Sequence, residues 1–285
     1  MFIVPVLFIT GIIQAQNFYF HIEGGMINYG GDLQNKVFTF NQANSAIGMG
    51  ISYTFLPHFS VSASFLSGKL SASDVKSNAE NARRNLSFYS KITEGSLIFQ
   101  ASLKNIPDEG RFTPYVFGGL AVFHFDPYAY EITGTKVFLK PLGTEGQGLA
   151  QYPDRKPYQL TQVALPFGVG INYALTDNFM IGAEIGFRKL FTDYLDDVSS
   201  LSYADTGVLR AVRGDLAAKM SFRSDETSTP LVFSNKIKRG NPDKKDAYYT
   251  CLIKLYVSLD GLFGSPGNSY TKKMRKQTGC PLKVL

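Results

Sequence analysis

Most of this chain that looks ordered alternates apolar residues with small or polar ones at every second position, which is the period of a β-strand. The clearest run lies at 163–173, where Val163, Leu165 and Phe167 alternate with small residues such as Gly168. The same period marks 47–55, 59–65, 179–188 and 249–259, and less regular candidates lie at 17–28, 87–103 and 113–125. The pattern predicts eight strands.

The connections between these segments alternate between short and long. The short ones read "LPH", "KNIPDEGR" and "LTDN", and the long ones span about 29–44, 69–86, 127–159 and 192–246. A soluble sandwich would also show period two, but short periplasmic turns alternating with long outer loops are typical of an outer-membrane barrel. The sequence therefore predicts an all-β fold, an eight-stranded antiparallel up-and-down transmembrane β-barrel with long outer loops and a short C-terminal tail, in the cell outer membrane.

The two ends of the chain predict regions outside the barrel. The first fifteen residues, "MFIVPVLFITGIIQA", are apolar, too short to span a bilayer and end in a small residue, which is typical of a secretory signal peptide. No other segment approaches eighteen consecutive apolar residues, so we expect no transmembrane helix. We expect a signal peptide at 1–15, the outer-membrane β-barrel at 16–259 and a basic periplasmic tail at 260–285.

Composition and motifs exclude several function classes. The net charge is +6, but no long basic run or RNA-binding signature accompanies it, so nucleic acid is not an expected partner. The two cysteines, Cys251 and Cys280, are too few for a disulfide framework and are interpreted as a buried small residue and an unpaired tail thiol. His21, His58 and His124 lie on different segments, and no serine elbow is visible. We therefore expect no enzyme: no catalytic, cofactor-binding or metal-binding residue, no cofactor and no small-molecule substrate.

The predicted lumen face carries charged side chains. Eight strands leave an interior just wide enough for side chains, so charges there must be paired. Five charged residues point inward on the predicted register: Glu23, Glu94, Glu184, Arg188 and Lys254. Since Glu184 and Arg188 are four apart on one face, we expect them to share partners with the other three. A buried ionic network is favoured over a catalytic role for all five.

A cluster of carboxylates begins the longest predicted outer loop. In "FRKLFTDYLDDVSSLSY" the strand ends and Asp193, Asp196 and Asp197 follow within five positions. The loop before the neighbouring strand reads "YPDRKPY" and carries Arg155 and Lys156. An ion pair between Arg155 and one of the aspartates would tie the two loops into a cap.

Two alternatives for this loop pair stay open. The charges could form a solvated rim, where exposed ion pairs contribute only ~0–1 kcal/mol. The three aspartates could instead bind Ca²⁺, although their spacing lacks the glycine-containing pattern of a calcium loop. The nearby "LGTEGQG" lacks GxxxxGK[ST], so its glycines are interpreted as turn residues rather than a nucleotide site.

Seven longer stretches carry a family resemblance. They are "GDL" (31–33), "RNLSF" (84–88), "RFTPYVFGGLAVFHFDP" (111–127), "PLGTEGQGL" (141–149), "YPDRKPYQLTQ" (152–162), "EIGFRKLFTDYLDDVS" (184–199) and "RGNP" followed by "KDAYY" (239–249). With these stretches the chain closely resembles the PorG-like outer-membrane β-barrel component of the type IX secretion system of the Bacteroidetes. The matches run from the first predicted strand to the eighth.

The resemblance implies a partner as well as a fold. It implies a monomeric barrel without enzymatic activity that contacts outer-membrane lipids and docks on the periplasmic ring or core proteins of the secretion machinery. The chain departs from many such barrels in continuing past its last strand, through 260–285. A second hypothesis stays open, a stand-alone anchor or adhesion barrel that resembles the outer-membrane protein A barrel.

Overall fold

The computed structural model describes residues 18–34, 39–77, 79–106, 109–234 and 236–259. Within them the chain forms nine strands: β1 (Phe18–Gly30), β2 (Asn44–Leu56), β3 (Phe59–Ser73), β4 (Ser87–Ser102), β5 (Phe112–Tyr130), β6 (Lys136–Phe138), β7 (Thr161–Ala174), β8 (Phe179–Leu190) and β9 (Ala247–Ser258). The α-helices of the described part are short: α1 (Ala79–Arg84), α2 (Thr206–Arg213) and α3 (Asp215–Ser221). The predicted signal peptide, the predicted tail and Cys280 lie outside the described residues.

None of the helices just named is long and apolar enough to cross a membrane.

Eight of these strands close into a barrel. Each pairs antiparallel with its neighbour along the chain, β5 pairs directly with β7, and β9 pairs with β1 to complete the ring. The short β6 pairs with the last residues of β5 and extends beyond the ring. The predicted eight-stranded antiparallel barrel is therefore confirmed.

Several strands run further than the sequence pattern predicts. β5 continues to Tyr130, five residues past the predicted end, and β3 continues to Ser73. The extension of β5 carries an aromatic cluster in which Tyr128 stacks on Tyr89 with ring centroids 5.6 Å apart. Such cross-strand aromatic contacts stabilise a ladder where the apolar alternation has already ended.

Outward-facing side chains form an apolar band around the barrel. Ile47 is 70% exposed, and Leu120 and Ile185 are similarly exposed on alternate positions of their strands. Water would solvate such a continuous apolar surface poorly, whereas the hydrocarbon core of a bilayer matches it. The barrel is therefore an integral protein of the outer membrane, as predicted.

Cys251 belongs to this outward face. It is half-buried and alternates with the inward-facing Thr250 and Leu252 of β9. The interpretation of Cys251 as a buried residue is therefore wrong, because its position in the period-two pattern turns it away from the lumen.

Side chains fill the lumen. Tyr115 and Phe117 pack with Ile98 near one end of the barrel. A Cβ atom on Gly170 would lie 2.3 Å from the Tyr115 ring, so only glycine at this position lets the tyrosine occupy the lumen. Small residues opposite large ones in this way are how a narrow barrel reaches the packing density of a protein interior.

The connections differ sharply between the two ends of the barrel. At the short-turn end the strands are joined by 57–58, 103–111 and 175–178. At the long-loop end the connections are 31–43, 74–86, 131–160 and 191–246. We call the described residues of these four long connections the cap.

The longest connection is folded rather than extended. Asp205 caps α2 by accepting a hydrogen bond from the backbone N of Val208 at 3.0 Å. Leu209 of α2 and Ala218 of α3 then pack with Leu149 of another connection in a small apolar core. The sequence predicts no helices here, because a period-two pattern locates only the strands.

Candidate functional site

The charged side chains of the lumen form two groups. In the first, the guanidinium of Arg188 lies 3.3 and 3.4 Å from the carboxylate oxygens of Glu94 and donates to Oγ1 of Thr250 at 2.5 Å. The hydroxyl of Tyr248 donates to the same carboxylate. All four side chains are buried, so the charges are compensated inside the protein rather than by solvent.

The second group surrounds Lys254. Its Nζ lies 2.7 Å from Oε2 of Glu184 and 3.2 Å from Oε2 of Glu23, its register partner on β1. Tyr115 donates to Glu184 at 2.9 Å. The structure thus brings the five predicted lumen residues together, but as two sets rather than one. Arg188 reaches across the lumen to β4, whereas Lys254 bonds to the two strands beside its own, so Glu184 and Arg188 have different partners.

The histidines lie at three separate places. His21 is buried in the lumen, with Nδ1 3.2 Å from Oγ of Ser52 and Nε2 3.2 Å from Oγ of Ser64. His58 lies in a turn at the short-turn end, and His124 contacts Thr161 on the outer surface. Among the described residues, no group of three or more His, Cys, Asp or Glu side chains is arranged to hold a metal ion.

At the long-loop end a buried ion pair joins two connections of the cap. Nη1 of Arg239 lies 2.9 Å from Oε1 of Glu145, and the exposed fractions of these residues are 1% and 0%. Glu145 also accepts hydrogen bonds from the backbone N atoms of Ser199 and Ser200 at 3.0 Å. Arg239 donates further to Oγ1 of Thr144 at 3.2 Å. The carboxylate is therefore saturated with donors, which is what makes a buried charge tolerable.

The three loop aspartates lie inside the cap. Asp197 accepts from Oγ1 of Thr144 at 2.5 Å and from the hydroxyl of Tyr158 at 2.7 Å. Asp196 accepts from the hydroxyl of Tyr29 at 2.5 Å, and the same hydroxyl lies 3.1 Å from Asp246. The alternative of a solvated rim is therefore wrong, because loop 191–246 folds back over the barrel and buries these carboxylates.

Asp193, the third loop aspartate, is only partly satisfied. It accepts from Oγ of Ser199 at 2.8 Å, and its other oxygen has no hydrogen-bond partner among the described residues.

Burial raises the pKa values of these aspartates. The pKa of Asp193 rises to about 7 and that of Asp197 to about 6, chiefly because burial disfavours the charged form. At Asp197 the charge of Arg239 opposes the rise. The pKa values of Asp196 and Asp246 lie well above the ordinary range, because burial is reinforced by repulsion from neighbouring carboxylates. The folded cap thus retains protons that carboxylates in water would lose.

Arg84 forms a second buried ion pair and links three connections of the cap. Arg84 donates to both oxygens of Asp74, at 2.6 and 2.7 Å, in a bidentate arrangement. It also donates to the backbone carbonyls of Asp32, at 3.0 Å, and of Arg239. Asp32 in turn accepts from the backbone N of Asn241 at 2.8 Å. All four long connections are therefore joined by polar contacts.

Arg155 and Lys156 have other positions than predicted. Arg155 donates to the carbonyl of Glu145 at 2.7 Å and to the carbonyl and hydroxyl of Ser202 at 3.2 Å. Lys156 is exposed. The expected ion pair between Arg155 and the three loop aspartates is absent from the described contacts. The buried cation of the cap is instead Arg239, which pairs with Glu145 rather than with an aspartate, whereas Arg155 lies half-buried at the edge of the cap.

Several charged residues of the cap interior are not among those singled out from the sequence. They are Asp74, Arg84, Glu145, Arg223, Arg239 and Asp246. A usable signal exists for two of them, since Glu145 and Arg239 each stand beside a glycine within one of the seven stretches. A glycine beside a charged residue indicates a turn, in which the backbone can fold closely around that charge.

Comparison with solved structures finds chains of similar path at low sequence identity. Solved structures with a similar chain path include neisserial surface protein A (10% identity, TM-score 0.42, covering 85% of this chain and 96% of that one). The attachment invasion locus protein Ail of Yersinia pestis is 10% identical at a TM-score of 0.40, covering 85% of this chain and 97% of that one. The outer membrane protein OprG of Pseudomonas aeruginosa is 9% identical at a TM-score of 0.38, covering 84% and 95%. The assignment of the fold rests on the strand pairing described above rather than on these likenesses.

No curated protein matches the chain. The model of a family described as "Domain of unknown function (DUF6089)" matches residues 1–211 of the 285. This stretch contains seven of the eight barrel strands and most of the cap. The chain therefore belongs to the DUF6089 family.

Proposed function

We propose that this barrel is a non-enzymatic structural and docking component of the type IX protein secretion machinery. The observation that carries the proposal is the convergence of the seven stretches on which the resemblance to the PorG-like barrel depends. Each of the seven contacts at least one other. Examples are Arg84 with the carbonyl of Asp32, Glu145 with Arg239, and Tyr158 with Asp197.

This convergence supports a shared role because it joins separate matches into one body. Stretches far apart in the chain could match a family by chance in short loops. Here they form the walls and interior of the cap and of the lumen beneath it, so the resemblance covers a connected structural unit. A connected unit of this size is more specific than its individual turns.

The packed lumen supports anchoring or docking rather than conduction. The Arg188–Glu94 pair, the Lys254 group and the ring of Tyr115 all lie inside the barrel. A secreted polypeptide would have to displace buried ion pairs to pass, at several kcal/mol for each pair broken. The proposed role is therefore to hold other components at the membrane.

The orientation of the barrel decides which surface can dock. We propose that the long-loop end faces outside and the short-turn end faces the periplasm, as is usual for bacterial barrels. The docking face would then combine the three short turns with the tail 260–285, whose formal balance of five basic residues against one acidic residue is 5 − 1 = +4. Such a charge suits an acidic partner surface.

Cysteine labelling of intact cells tests the orientation. In a background with both native cysteines changed to serine, Val232→Cys places a thiol on an 88% exposed position of the cap, and Leu103→Cys places one on a 70% exposed position at the short-turn end. We expect an impermeant maleimide to label the first variant directly and the second only after the outer membrane is opened. The reverse pattern would contradict the orientation.

Co-purification tests the role itself. The full chain, extracted in detergent, should capture periplasmic ring or core proteins of the machinery in stoichiometric amounts. An isolated monomer would instead favour the stand-alone anchor or adhesion barrel.

Truncation after Asp260 tests the docking face, provided that gel migration shows normal insertion. If the truncated barrel captures the same partners in the same amounts, the tail is not part of that face.

A further inference from the structure

Three lysines lie together on the outer surface of the barrel at its long-loop end. Lys69, Lys91 and Lys136, on β3, β4 and β6, are exposed and line one groove of about 470 Å³. On β3 the outward-facing positions change from Phe65 to Ser67 to Lys69, and β4 shows the corresponding change. The lysines therefore begin where the apolar band ends, at the height of lipid headgroups.

The groove concentrates positive charge, and none of its three lysines forms an ion pair with a described carboxylate. Lys69 and Lys91 are direct register partners across β3 and β4, and like charges placed opposite each other are destabilising. The other register partner of Lys91 is Asp126, so the formal sum is 3 − 1 = +2. Within the described part of the chain, no carboxylate oxygen lies within 4.0 Å of any of the three ammonium groups. An anion from outside the protein would relieve this repulsion.

Aromatic rings hold the lysines at the membrane interface. Nζ of Lys69 lies 4.6 Å from the ring centroid of Tyr89, and Nζ of Lys136 lies 3.9 Å from that of Tyr128. The two tyrosines stack on each other, and Tyr130 packs edge-on against both. Tyrosine belts of this kind mark the boundary between hydrocarbon and headgroups.

The lining of the groove has two chemical parts. Ile47, 70% exposed, continues the apolar band, and the three lysines lie beyond it. A ligand that fits both parts carries acyl chains on one side and anionic phosphate on the other.

We propose that this groove binds the phosphates of an outer-leaflet lipid, specifically those of the lipid A part of lipopolysaccharide. The inference rests on the outward orientation of the cap proposed above. Its acyl chains would lie against the apolar band beside Ile47, and its phosphates would bridge Lys69, Lys91 and Lys136. The bound phosphate would compensate the positive charges of Lys69 and Lys91, which lie opposite each other on β3 and β4.

Lipid titration of the purified full chain tests the proposal. Native mass spectrometry in detergent would count lipids bound from bisphosphorylated lipid A and from dephosphorylated lipid A. Because each Lys near a charged membrane surface changes affinity by about fivefold, Lys69→Gln/Lys91→Gln/Lys136→Gln should bind bisphosphorylated lipid A roughly 100-fold more weakly. Each single variant should bind bisphosphorylated lipid A about fivefold more weakly than the wild type. The three side chains are exposed, so they can be changed without disturbing the lumen.

Lys189→Gln is the matched control. Lys189 is also exposed, outward-facing and at the long-loop end, but its register partners are Leu165 and Ala247. Its substitution should leave lipid A binding unchanged. An equal loss in Lys189→Gln, or undiminished binding by the triple variant, would overturn the proposal.

Two further arms separate the sources of the phosphate. Dephosphorylated lipid A should bind as weakly to the wild type as bisphosphorylated lipid A binds to the triple variant. Inorganic phosphate at millimolar concentration should not displace the lipid. Full displacement would indicate a free-anion site instead, and equal binding of dephosphorylated lipid A would indicate acyl contacts alone. A reversed labelling pattern in the orientation test would place the three lysines at the inner leaflet instead of the outer one, and would overturn this proposal.

Discussion

Arg188→Ala is the sharpest test of how the lumen is held together. Arg188 is 4% exposed and Glu94 is 1% exposed, so the substitution leaves a carboxylate buried without its cation. Breaking one side of a buried ion pair costs about 3–5 kcal/mol, since the remaining charge loses its compensation but not its desolvation. The hydroxyl of Tyr248 stays beside Glu94 but carries no charge to replace the guanidinium.

The expected change can be read as a shift in denaturant. With an m value of about 2–3 kcal/mol/M, a loss of 3–5 kcal/mol lowers the urea midpoint by roughly 1–2.5 M. The chain has no tryptophan, so circular dichroism of the β-sheet and heat-modifiable gel migration are the suitable measurements. The folded band should convert to the unfolded band at lower temperature.

Two variants make the result interpretable. Lys189→Ala removes the neighbouring charge on the same strand, but that side chain is exposed on the opposite face, so stability should change by about 0.5 kcal/mol or less. Adding Glu94→Gln to Arg188→Ala removes the stranded charge and should recover at least half of the loss. If Arg188→Ala leaves the midpoint within the range of Lys189→Ala, the buried pair does not stabilise the barrel and the reasoning fails.

The remaining predictions concern lumen packing and the cap. Gly170→Ala should destabilise the barrel by about 1–3 kcal/mol because a Cβ atom collides with the ring of Tyr115, whereas Gly95→Ala, with nothing within 4 Å, should be close to neutral in the same urea titration. Arg239→Ala removes the buried partner of Glu145, so the cap should become sensitive to protease while the strands stay protected. Cleavage indistinguishable from that of the wild type would show that this ion pair is dispensable. The pKa of Asp197 is raised in the folded cap, so the folded cap binds this proton more tightly than the unfolded one. The protonated Asp197 therefore contributes fully to the stability of the cap below about pH 4. This contribution is lost as the pH rises through about 6, by about 3 kcal/mol at most. Protease resistance of the cap should therefore decrease between pH 5 and pH 8, and an Asp197→Asn variant should show a smaller decrease; a rise over that range would contradict the sign.

The family match and the resemblance to the PorG-like barrel support different conclusions. The family match establishes membership, and the strand pairing establishes the barrel. The role in secretion stays a proposal whose support is the convergence of the seven stretches. Co-purification and cysteine labelling address the role and the orientation separately, so one can fail without the other.

The sequence by itself determined the barrel. A period of two assigns each residue of a strand to one face, so the inward positions of Glu184, Arg188 and Lys254 follow from counting along β8 and β9. The alternation of connection lengths determined that the strands run up and down. The first signal can be seen in a single sequence because every second residue of each strand faces lipid, and the second needs only the order and length of the segments between the strands.

Only the tertiary structure decided the pairings. Whether Arg188 reaches Glu94 or Glu184 depends on distances across the closed ring, which no spacing along one strand encodes. The cap shows this more strongly, because its buried cation is Arg239, which pairs with Glu145 from 94 positions away in the chain. The sequence favoured a different pair, Arg155 with one of the loop aspartates. Loops have no repeating period, so the partners of a buried charge in a cap are set by how the whole connection folds back over the barrel.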